Sequence, residues 1–126
     1  MALRFEDLRV WKVARVLARQ TYSLTRQPGF ASDRGLANQL RRAAVSVMAN
    51  IAEGYERRGS AAEFAHFLAM AKGSCGELRC HLYVASDQRY IGDDSLRRLG
   101  EQAADLSRML NLLIRAVRRS HRDPRT

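Results

Sequence analysis

Between Arg42 and Glu53 the chain runs for ten residues with no charge, and only Ser46 and Asn50 are polar. The run is too short to span a bilayer and too continuous for a helix that is wet on one whole side. Gln39, Arg42, Ser46, Asn50 and Glu53 recur at steps of three and four, which is helical spacing. At about 100° per residue they make a polar stripe roughly 80° wide. Leu36, Leu40, Ala43, Ala44, Val47 and Ile51 fall beside it and would face a core. The remaining arc carries Val45, Met48, Ala49 and Ala52, where a monomer would show water its charges. A helix of this kind needs partners on two sides, so we expect these four residues to form an oligomer interface.

The rest of the chain supplies the core partners. Val10, Ala14, Leu17, Thr21 and Leu24 make one seam, opened by Asp7 as the expected N-cap and closed by Pro28-Gly29. The second helix is expected from Asp33 to near Arg58, with Gly59 as its left-handed cap. Ser60-Ala61-Ala62-Glu63 reads as a capping box for the third helix. Its seam is Phe64, Leu68, Ala71, Cys75, Leu78, Leu82 and Ala85, ending near Tyr90-Ile91-Gly92. Asp93 or Asp94 caps the fourth, with Leu96, Leu99, Ala103, Leu106, Leu110, Leu113 and Val117 as its seam. Short connections predict an all-α, antiparallel up-down-up-down four-helix bundle over residues 1–119, with a basic polar tail at 120–126. Gly73 and Gly76 interrupt the third helix at a cost of about 1 kcal/mol each relative to Ala. Either they permit a close helix or subunit contact, or a long helix tolerates them.

The net charge is +9, and every basic residue except Lys12 and Lys72 is Arg. That balance favours anionic partners, nucleic acid before membrane. By segment, residues 1–32 carry +4, 33–60 +2, 61–91 none and 92–126 +3. Arg9, Lys12, Arg15 and Arg19 lie on one arc of the first helix, opposite its core seam, and Arg115, Arg118, Arg119, Arg122 and Arg125 cluster near the C-terminus. A solvated face is the plain alternative; with so few acids nearby, we expect phosphate contacts that read charge and not base sequence. No secretory pattern and no long apolar segment is present, so a cytoplasmic protein without membrane contact is expected.

Catalytic signals are weak. Glu63 and His66 match one Glu-x-x-His pair, but a di-iron bundle needs two such pairs and two further Glu residues. Glu77 and His81 are spaced by four, on the same helix. No phosphate-cradling glycine loop exists, and Arg57-Arg58-Gly59 is a basic corner without that motif. Cys75 and Cys80 point in different directions on a helix and should not pair. We expect no enzyme, no metal and no cofactor. Gln39, Arg42, Ser46, Asn50 and Glu53 are read as a structural polar network that fixes register or assembly.

Phe5-Glu6-Asp7-Leu8-Arg9-Val10-Trp11, Gln39 to Ala43 with Ser46 and Asn50-Ile51-Ala52-Glu53-Gly54, and Glu63 to Leu68 with Ala71-Lys72-Gly73-Ser74 and Glu77-Leu78 together resemble a known family. It is the family of four-helix-bundle proteins encoded in intervening sequences of bacterial large-subunit rRNA genes. The resemblance spans roughly residues 5–91, and it reaches the last helix by pattern only. It implies a homopentamer, and it adds Ser74 and Glu77 to the architectural residues. The family includes the accessory variability determinant of diversity-generating retroelements, which binds nucleic acid and a reverse transcriptase. The expected function is therefore a non-enzymatic homo-oligomeric scaffold that binds RNA or DNA. The alternative is a protein-interaction module for a nucleic-acid enzyme such as a reverse transcriptase.

Overall fold

The computed structural model describes residues 4–121. Four α-helices carry the fold, and no strand occurs among the described residues: α1 Arg9–Thr25, α2 Arg34–Glu56, α3 Ala61–Asp87 and α4 Asp93–His121. α2 packs on α3, α3 on α4, and α1 on both α2 and α4, so all four share one core. The buried seams of α1, α2 and α3 are those that the periodicity predicts. On α4 the seam is Leu99, Ala103, Leu106, Leu110 and Ile114; Leu113 and Val117 are only half-buried. The switch follows from the helix repeat of 3.6, which drifts away from a strict four-three pattern over a long helix.

Two N-termini are capped as expected. Asp33 Oδ1 accepts the Leu36 N–H at 3.2 Å, and Ser60 Oγ accepts the Glu63 N–H at 3.2 Å. Only half of the capping box forms, because Glu63 turns to Arg57 and the Ser60 N–H bonds to the Arg57 carbonyl at 3.1 Å. Asp7 is not a cap. It lies in a 3-10 turn, Phe5–Asp7, and α1 opens after Leu8 without a side-chain cap. The chain entry is fixed instead by the Phe5 ring, packed edge-on against Trp11 at 5.2 Å. The buried hydroxyls of Thr21 and Thr25 donate back to the Leu17 and Thr21 carbonyls at 2.8 and 3.1 Å, which lets α1 bury them.

The glycine expected to cap α2 does not take a left-handed conformation. Gly59 has a negative φ, and the end of α2 is held by Arg58, which donates to the Tyr55 carbonyl at 3.0 Å and covers the Tyr55 ring at 4.1 Å. The left-handed residue at the end of α3 is Arg89, with φ 63°. Its N–H bonds to the Ser86 carbonyl and the Tyr90 N–H to the Ala85 carbonyl, both at 2.9 Å, the paired pattern of a Schellman motif. That turn delivers Tyr90 to the α1–α2 connection. Its hydroxyl donates to Asp33 Oδ2 at 3.1 Å, and its ring lies 5.3 Å from buried Phe30. Gly29 suits this close approach, since a Cβ there would crowd the Tyr90 Cα at 3.0 Å.

Candidate functional site

The polar stripe of α2 divides in two. Ser46 and Asn50 lie on its α3 side: Ser46 Oγ meets Ser74 Oγ at 2.9 Å, and Asn50 Nδ2 donates to the Ser46 carbonyl and hydroxyl at 2.9 and 3.0 Å. These three half-buried residues tie α2 to α3. The other expected members do not join them. Gln39, Arg42 and Glu77 are exposed, and Glu53 pairs with Arg57 at 2.6 Å. Arg42 and Glu53 sit on the outer margin of the stripe, where water solvates them better than a crevice could. The network of seven narrows to a three-residue clasp.

The third arc of α2 faces outward. Val45 is 42% exposed, Ala49 is exposed, and Met48 and Ala52 are half-buried in the single chain. On α3 a separate outward stripe carries Ala69, Met70, Gly73, Gly76, Cys80 and Val84, all exposed. A Cβ at Gly73 or Gly76 would meet nothing within 4 Å, so neither glycine serves a contact inside this chain. Gly54 is the opposite case. A Cβ there would stand 2.9 Å from the Phe67 Cβ and 3.2 Å from the Phe64 ring, which sets how closely α2 approaches α3. The free thiols differ as well: Cys75 is buried, and burial pushes its pKa up to about 11, whereas Cys80 is exposed.

Charge is distributed unevenly. Five acids are engaged in ion pairs: Glu6 with Arg4, Glu53 and Glu63 with Arg57, Asp94 with Arg97, and Asp105 with Arg108. Arg57 also lies 5.4 Å over Phe67, so the basic corner clamps the α2–α3 turn. By contrast Arg9, Lys12, Arg15 and Arg19 on α1, and Arg115, Arg118 and Arg119 on α4, are exposed and take part in no ion pair among the described residues. Arg15 touches Trp11 at 5.7 Å. Arg122 and Arg125 lie outside the described residues.

Glu63 and His66, and Glu77 and His81, stay on α3 without a further acidic or thiol ligand, and among the described residues no group of three His, Cys, Asp or Glu side chains could hold a metal ion. No described helix is long and apolar enough to cross a membrane. Sequence reasoning missed Arg26, Arg34 and Arg41, which come together only when α1 folds back on α2. The basic residues flanking Pro28-Gly29 were the available signal.

A family model described as 23S rRNA-intervening sequence protein matches residues 6–112, which takes in most of α4 but stops short of Arg115. A solved structure from Bacteroides thetaiotaomicron, described as a protein with unknown function from the S23 ribosomal protein family, matches with a TM-score of 0.74. It is 20% identical and covers 83% of this chain and 97% of that chain, a likeness of fold. No curated protein matches the chain.

Proposed function

The chain belongs to the 23S rRNA-intervening sequence protein family, and from that premise we propose that it is a non-enzymatic homo-oligomeric scaffold that binds nucleic acid through phosphate contacts. The observation that carries the reading is the separation of paired from unpaired cations. Arg9, Lys12, Arg15, Arg19, Arg115, Arg118 and Arg119 stand exposed and without an ion pair among the described residues, while Glu6, Glu53, Glu63, Asp94 and Asp105 pair with other arginines. Such cations gain most from phosphate, because each contact releases condensed counterions.

Assembly multiplies that charge. The outward apolar arc of α2, with Val45, Met48, Ala49 and Ala52, is the proposed contact between copies, and five-fold symmetry is what the family resemblance implies. We take the helices as an antiparallel up-down-up-down bundle. The meeting of Phe30 with Tyr90 supports this, because it brings the α1–α2 and α3–α4 connections to one end. The basic end of α4 and the start of α1 would then share the opposite end.

The test is a titration of a labelled single-stranded oligonucleotide at several salt concentrations. Affinity should fall steeply, with a slope of about 0.7 in log–log terms per phosphate contacted. Absence of binding at low salt would end the reading. A protein-interaction module, with a reverse transcriptase or another nucleic-acid enzyme as partner, is the second reading. It is favoured by Tyr83 at 58% and Leu112 at 64% exposure along α3 and α4. A partner that stays bound after nuclease and high salt would decide for it.

A further inference from the structure

Three arginines meet where α1 turns into α2. Arg26 follows the last residue of α1, Arg34 opens α2, and Arg41 lies about two turns further along. All three line one cavity of about 410 Å³, with Gln27 and Asn38 beside them. No carboxylate lines it. The nearest in sequence, Asp33, has both oxygens engaged, by the Leu36 N–H and the Tyr90 hydroxyl. None of the three arginines takes part in an ion pair among the described residues.

Arg41 is held in place before any ligand arrives. Its Nε donates to Thr25 Oγ1 at 2.8 Å, and its guanidinium lies 4.8 Å over the Tyr22 ring. Thr25 is itself anchored to the Thr21 and Tyr22 carbonyls at 3.1 and 3.0 Å. These contacts fix the guanidinium plane and use one of its five donors, which leaves the two terminal nitrogens for the cavity. A second cavity of about 510 Å³ shares Arg41 and Asn38 and adds Arg42 and Ser46, so the basic groove continues along the α1–α2 seam.

Three arginines on one cavity bring like charge to it, which a bound anion would offset. A carboxylate and a strand phosphodiester each carry one negative charge, but a strand brings neighbouring phosphodiesters close together, and their non-bridging oxygens match the planar donor forks of several arginines. We propose that the α1–α2 corner is a discrete phosphate-binding pocket, in which Arg26, Arg34 and Arg41 grip a phosphate of a bound nucleic-acid strand. The strand as the source of that phosphate rests on the nucleic-acid reading above; the pocket itself does not. The exposed rows on α1 and α4 then supply diffuse attraction, and this corner supplies the register.

The test uses the full chain with two probes, pyrophosphate and a uridine oligonucleotide about 20 nucleotides long. Pyrophosphate should saturate one site per chain, shift the Arg41 Nε–H resonance and raise the melting temperature. Arg26→Gln with Arg34→Gln, both at exposed positions, should abolish that saturation and weaken the oligonucleotide about tenfold, with a shallower salt slope. Arg15→Gln with Arg19→Gln should weaken only the oligonucleotide. Arg41→Lys, which keeps the charge but loses the fork, should weaken pyrophosphate in a protein that still folds. Pyrophosphate shifts that never saturate, or that are as large at Arg15 as at Arg41, overturn the pocket even where the oligonucleotide binds. Saturation by pyrophosphate with no oligonucleotide binding keeps the pocket for a free phosphate and removes the nucleic-acid strand.

Discussion

Glycine-to-alanine exchange on two adjoining helices should act in opposite directions. Gly73→Ala and Gly76→Ala add a methyl that meets nothing within 4 Å. Each should gain the full helix-propensity difference, about 1 kcal/mol, and the pair about 2 kcal/mol. For a chain of this size that corresponds to roughly 3–5 °C in melting temperature per kcal/mol. Gly54→Ala gains the same propensity, but its methyl stands 2.9 Å from the Phe67 Cβ and 3.3 Å from the Phe64 carbonyl oxygen. Neither atom can rotate away, since one is a Cβ and the other belongs to the helix backbone. Overpacking of this kind costs about 1–3 kcal/mol, so the net effect should be a loss of up to about 2 kcal/mol. Urea unfolding of the wild type, the three single variants and the α3 double variant would measure all of this at one protein concentration and again at a tenth of it. Stabilisation by Gly54→Ala equal to that by Gly73→Ala would refute the close-approach argument. A concentration-dependent loss in the α3 double variant would refute the open-surface argument, and would show that another chain covers those glycines.

Further outcomes can be checked with ordinary assays. Ala49→Arg should leave the fold of the single chain intact by circular dichroism, because Ala49 is exposed there, yet it should lower the mass seen by light scattering; an unchanged oligomer removes α2 from the interface. Arg89→Gly should stabilise the protein by about 1 kcal/mol, since it relieves a side chain held at φ 63°; a loss in thermal unfolding would show that the Arg89 side chain matters more than its backbone. Iodoacetamide should label Cys80 and spare Cys75 in the native protein, and mass spectrometry should find both labelled in denaturant. Burial raises the pKa of the Cys75 thiol to about 11, and burial with the Asp33 hydrogen bond raises that of the Tyr90 phenol. Both groups therefore favour the folded state while protonated, so stability should be complete below about pH 9 and fall as pH rises through about 11. A flat profile of chemical stability across that window would contradict the burial of the Cys75 thiol and the hydrogen-bonded, half-buried setting of the Tyr90 phenol.

Much of the architecture was already legible in the chain as written. The seams of α1, α2 and α3, and the caps at Asp33 and Ser60, follow from residues within a turn or so of one another, where backbone geometry alone decides who meets whom. The outward apolar arc of α2 is legible for the same reason. Distances between helices are not local quantities. They depend on how all the core side chains fit at once, so only the tertiary structure could separate Gly54, pressed against Phe67, from Gly73 and Gly76, which face open space. The same cause reduced the expected polar network to Ser46, Asn50 and Ser74, and placed the left-handed turn at Arg89, where Tyr90 must reach Asp33. It also brought Arg26, Arg34 and Arg41, spread over fifteen positions of sequence, to one cavity. Sequence determined which face each helix turns inward, because periodicity is a property of one helix. Tertiary structure decided which outward side chains become neighbours, because that depends on the separation of two.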